Sequence, residues 1–174
     1  MEKMINKFKE TVFFPFFLKN LPFVLVLLVI FVENMPINLS YFSFIRPKVS
    51  LIFIFLISVY FPDHVGYFRV FCLGLLSDLL GFSLLGLNSF LFLSIYVLIK
   101  KYSNYLANRI FFFVYAVFMA VVLSTMFIEI IFVAIAQRSF PSCYQVFPSY
   151  LLTISLYPFI AKIFYLIEKN TDEN

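Results

Sequence analysis

The chain has 174 residues, of which 63% are hydrophobic, 22% aromatic and only 13% charged. Soluble domains carry about 25% charged residues, so this composition excludes an ordinary soluble domain and points to an all-α integral membrane protein. The net charge of +4 reads as an orientation signal and not as a nucleic-acid footprint.

Apolar segments recur along the whole length, so a single membrane domain, 1–174, is expected. The first span is 21–35, LPFVLVLLVIFVENM, preceded by the apolar TVFFPFFL. No small-residue cleavage site follows it, so it reads as a retained span and not a signal peptide. The second is 45–61, where Pro47 suits a first helical turn. The stretch 65–100 has no proline and almost no charge. As one helix it would be about 54 Å long, against a hydrocarbon core of about 30 Å. It must therefore fold back, and GFSLLG at 81–86 is the place to turn. That gives a third span near 65–80 and a fourth near 87–100. The fifth is 111–136, between Arg109 and Arg138. The sixth is 150–167, with Pro158 as a kink that neighbours must satisfy.

About six transmembrane helices with both termini inside agree with the cations. Inner segments then hold Lys3, Lys7, Lys9, Lys19, Arg69, Lys100, Lys101, Arg109, Lys162 and Lys169; outer ones hold Arg46, Lys48 and Arg138. An odd helix count would put Lys162 and Lys169 opposite the N-terminal lysines and break the positive-inside rule.

All four glycines, Gly66, Gly74, Gly81 and Gly86, fall in one region, and Asp78 lies among them. A carboxylate near the middle of a membrane helix costs about 2.5–3.5 kcal/mol on insertion scales, so it must face protein, water or a partner. Gly74, Asp78 and Gly81 are spaced four and three apart and share one helical face. Small residues on a face let another backbone approach. Two readings of Asp78 stand: a structural group that caps the fourth helix or bonds a neighbouring backbone, and a site for a ligand, ion or partner.

Glu33 and Glu129 also fall in the outer half. An outer polar cluster is expected, with Arg46 reaching one or more of these carboxylates, while Glu129 by itself reads as meeting headgroups and water. Chemistry beyond this is sparse. Cys72 and Cys143 are unpaired in this reading, without CxxC or Cys/His metal spacing. His64, the one histidine, reads as a solvated loop residue and not a general base. No HExxH or paired-aspartate motif is present. No enzyme activity, cofactor or metal is expected.

Arg46-Pro47, then Gly66, then Gly74-Leu75-Leu76-Ser77-Asp78 and the turn Leu84-Leu85-Gly86-Leu87-Asn88 resemble the rod shape-determining protein MreD family. The family's frequent proline near the turn is missing here. SLYPFIAKIFYLIEK (155–169) is similar to the family's last span, with Pro158 in register. The resemblance implies a non-enzymatic scaffold of the bacterial inner membrane that partners the single-span protein MreC. It acts with MreB and with the RodA synthase and its transpeptidase in lateral wall growth; a homodimer is also open. The implied fold resembles the substrate-binding subunits of energy-coupling-factor transporters, so such a solute-binding subunit is the alternative function. Against it, no inverted repeat is seen, and LPFVLVLLVIFV (21–32) lacks the Ala-rich face used to dock an energising module.

Three further segments read as contacts. Phe-rich stretches 53–61 and 111–118 offer apolar surface to a partner helix. The inner loop KKYSNYLANR (100–109) reads as binding headgroups, or else a cytoplasmic partner. The outer loop QRSFPSCYQVFPS (137–149) is expected to hold the juxtamembrane part of MreC through Phe140 and Tyr144.

Overall fold

The computed structural model describes residues 14–35, 47–63, 65–81, 84–137 and 143–172. Among them the chain forms six α-helices: α1 Phe14–Asn34, α2 Val49–Tyr60, α3 Tyr67–Leu80, α4 Leu87–Ala107, α5 Phe111–Gln137 and α6 Cys143–Asp172. Successive helices run up and down. The ends of α1, α3 and α5 meet the starts of α2, α4 and α6 at one end of the bundle.

α2 is the centre. Its residues from Ser50 to Val59 are buried except for Phe53. A helix that is apolar all round must be surrounded, and α1, α4 and α6 pack around it. Phe55 meets Phe118 of α5 edge-on at 5.1 Å, and Phe118 stacks on Tyr157 of α6 at 4.1 Å. Tyr115 and Phe111 continue this aromatic seam along α5. The α2–α3 loop is pinned by the buried Tyr96 hydroxyl, which meets the carbonyls of Pro62 and Val65.

Among the described residues, two segments are long and apolar enough to cross a membrane, Phe111–Ala136 in α5 and Val146–Phe164 in α6. Their outer faces are bare: Leu123, Phe127, Ile131 and Ile135 on α5, and Phe159 and Ile163 on α6, are exposed. Such a surface is a liability in water and an ordinary wall in lipid.

Several expected boundaries move. α2 begins at Val49, with Lys48 in the N-cap position, and not near 45. Pro47 therefore precedes the helix instead of forming its first turn. The stretch 53–61 offers no partner surface, since most of it is core; in 111–118 only part of the aromatic surface is free, because Phe118 is fully buried. KKYSNYLANR is not a loop. Residues 100–107 are the last two turns of α4, with Lys100 paired to Asp63 at 3.2 Å. Likewise, 143–149 is helical, because α6 accepts Pro148 and Pro158 within it.

Candidate functional site

Asp78 sits on the last turn of α3 and is 1% exposed. One turn earlier, Gly74 lets α4 come close: a Cβ there would lie 2.3 Å from Ser89 Cα. That approach brings the start of α4 onto the Asp78 carboxylate. Its oxygens accept from the backbone N–H of Gly86 at 2.9 Å, of Asn88 at 3.0 Å and of Ser89 at 3.4 Å, and from the Ser89 hydroxyl at 3.3 Å. The remaining N–H of that turn, on Leu87, bonds the Leu84 carbonyl.

A helix start leaves its first N–H groups without intrahelical partners, and an N-cap side chain normally answers them. Gly86 holds the N-cap position of α4 and has no side chain. Its φ of +94° suits glycine and is strained for other residues. Asp78, eight residues back on another helix, supplies the missing cap and also meets the positive end of the α4 dipole.

α2 starts in the same way. Glu33, at the end of α1, accepts from Ser50 N–H at 2.8 Å. Thr153 of α6 accepts from Lys48 N–H at 2.9 Å. The Lys48 ammonium reaches Glu129 of α5 at 2.5 Å and lies 5.1 Å from the centre of the Tyr150 ring. The Tyr150 hydroxyl donates to the same Glu129 oxygen. The polar groups frame a cleft of about 170 Å³ lined by Glu33, Asn34, Lys48, Ser50, Asn88 and Glu129, among others.

Expected site residues thus fall into groups. Glu33, Gly74, Asp78, Gly81, Gly86 and Asn88 come together at this end of the bundle, Gly81 with its backbone against the Asn34 side chain. Pro47 leads into it. Arg46 and Phe140 lie outside the described residues, and nothing is described of the Tyr144 side chain. The cation found in the cluster is Lys48. Glu129 does not simply face headgroups and water: α2 starts low enough in the bundle to put Lys48 beside it. Lys48 is one of the three outer cations read from the sequence; Ser50, Tyr150 and Thr153 gave no sequence signal, because their partners lie 17 to 105 residues away.

Lys48 and Glu129 are each about one-fifth exposed. Removing one partner strands a poorly solvated charge, whereas removing both does not. Lys48→Met and Glu129→Gln should each destabilise the chain by about 1–3 kcal/mol, and the double variant by less than their sum. A double-mutant cycle by denaturant titration measures this; strict additivity would show that the pair contributes no coupling.

A family model for the rod shape-determining protein MreD matches residues 12–167. The chain belongs to the MreD family. No curated protein and no solved structure matches it. Membership makes it a membrane protein that determines rod shape. In this MreD-family chain the Gly-Leu-Leu-Ser-Asp run is the part of α3 that receives and caps α4.

Proposed function

We propose that the chain is a non-enzymatic scaffold of the bacterial cell-elongation complex. It holds an MreC-like single-span protein and thereby links lateral wall synthesis by the RodA synthase and its transpeptidase to MreB. In this reading all six helices lie in the inner membrane, with both termini cytoplasmic. α2 and α3 are only about 18 and 21 Å long, less than a hydrocarbon core of about 30 Å. Their polar ends then stop within the membrane's depth, where an unanswered N–H costs several kcal/mol. That is the physical reason for capping α2 and α4 from neighbouring helices.

The observation that carries the reading is how the polar groups are used. The three outer acids Glu33, Asp78 and Glu129 all bond groups of the protein itself. Among the described residues no buried side-chain polar atom lacks a partner. The cleft they frame, about 170 Å³, is smaller than the roughly 300–1,000 Å³ of small-molecule sites. A vitamin-sized solute does not fit it, which disfavours the energy-coupling-factor-type alternative.

The partner surface in this reading is α5. Leu123, Phe127, Ile131 and Ile135 form an exposed row with a spacing of four, the ridge along which helices pack. The row leads toward the outer segment 137–149, whose Phe140 and Tyr144 are proposed to take the juxtamembrane part of MreC. Tagged wild-type chain should co-purify the cell's MreC-like protein. Phe127→Ala/Ile131→Ala should reduce the capture about tenfold while the fold remains, since two large side chains leave the interface. Undiminished capture would remove α5 from the interface. Capture of a transporter's energising module in place of MreC would replace the scaffold reading with the alternative.

A further inference from the structure

The opposite end of the bundle holds a larger cavity, of about 430 Å³. It lies between the end of α2 at Tyr60, the end of α4 and its following turn at Ala107 and Arg109, the start of α5 at Phe111, and α6 at Pro158, Ala161 and Lys162. This volume falls within the range of small-molecule sites, about 300–1,000 Å³. Both charged lining residues are cations, and none of the lining residues is acidic.

The two cations are suited to an anion. The Arg109 guanidinium stacks over the Tyr105 ring at 4.1 Å and donates to the Tyr105 hydroxyl at 2.5 Å. Stacking fixes its plane and leaves other donors of the planar fork for a ligand. Lys162 is exposed and brings a mobile point charge from α6. The walls between them, Tyr60, Phe111, Pro158 and Ala161, are mostly apolar, which a free inorganic anion does not need. Ile110, Phe112 and Phe159, exposed on the neighbouring turns, continue the apolar surface outward.

We propose that this cavity binds the phosphate of a net-anionic amphiphile, one whose headgroup carries no compensating cation. Arg109 and Lys162 hold the phosphate, and the first part of an acyl or prenyl chain runs along Phe111, Pro158 and Ala161. Cationic partners of this kind bind phosphate through charge-assisted hydrogen bonds, with arginine supplying a two-pronged contact. The location in the inner leaflet rests on the topology proposed above; the binding chemistry does not.

The test uses the full chain in uncharged detergent, presented with phosphatidylglycerol or phosphatidylcholine of equal chain length, and reads lipid retention by native mass spectrometry. Phosphatidylglycerol should be retained about tenfold better than phosphatidylcholine. Arg109→Gln/Lys162→Gln should abolish the preference, while Lys101→Gln, an exposed cation outside the cavity, should leave it intact. Ala107→Trp, at an exposed position on the cavity wall, keeps both cations and fills the space; it should also lower retention. Folding of each variant is checked by size-exclusion profile and helicity. Equal retention of the two lipids, or unchanged retention in both cavity variants, would overturn the proposal. Binding of inorganic phosphate with no retention of phosphatidylglycerol would assign the site to free phosphate and overturn the amphiphile.

Discussion

Gly74→Ala should lower the thermal midpoint of the detergent-solubilised chain by roughly 6–12 °C, and Gly74→Val should leave little folded protein. The new Cβ would lie 2.3 Å from Ser89 Cα and 2.7 Å from Ser89 N. These are backbone atoms, so no rotamer change relieves the clash. α3 and α4 must separate. Overpacking of this kind costs up to about 3 kcal/mol and sometimes more, and a chain of this size loses about 2–4 °C per kcal/mol. Separation would also stretch the bonds from the α4 start to Asp78, one turn further on. Gly66→Ala is the control, because a Cβ there meets nothing within 4 Å. Thermal melts followed by helicity suit a chain with no tryptophan. Equal midpoints for wild type and Gly74→Ala would show that the helices are not in such close contact.

Asp78→Asn should destabilise the chain by about 2–4 kcal/mol, and Asp78→Ala by more. A carboxylate only accepts, and the partners described above all donate to it. An amide keeps one accepting oxygen and turns an NH₂ toward donors. Charge-assisted bonds contribute about 1.5–3 kcal/mol each, and the interaction with the helix dipole is lost as well. Alanine removes the cap altogether and leaves N–H groups of Gly86, Asn88 and Ser89 without it. Denaturant titration of the purified variants measures the loss. Wild-type stability in Asp78→Ala would mean that water or another group answers these donors.

What the sequence made legible follows the range of each interaction. The Gly74/Asp78/Gly81 face was readable because spacings of four and three place residues on one side of any helix. The turn at 81–86 was readable because a 36-residue apolar stretch cannot cross once. The choice between a capping and a ligand-binding Asp78 was not, since it depends on how closely α4 approaches. Lys48 and Glu129 were harder still: they are 81 residues apart, and nothing local marks them as a pair. The length of α4 was hidden because Lys100 and Lys101 look like a helix end. In the fold Lys100 lies along Tyr67 and Tyr96 and pairs with Asp63, so the helix continues past it. α6 was underestimated for a related reason. Proline usually ends a helix, so Pro148 read as part of a loop, yet it lies inside this helix, as the expected Pro158 does.

The most direct test of a scaffold whose polar motif builds the protein, and does not touch its partner, is MreC capture per folded molecule. Tagged wild type and Asp78→Asn would be purified under conditions where both are monodisperse, and the co-purified MreC-like protein quantified against folded chain. The expected result is lower yield and stability for Asp78→Asn, with capture per folded molecule unchanged. A stable, monodisperse Asp78→Asn that has lost its partner would contradict this and make Asp78 an interface residue.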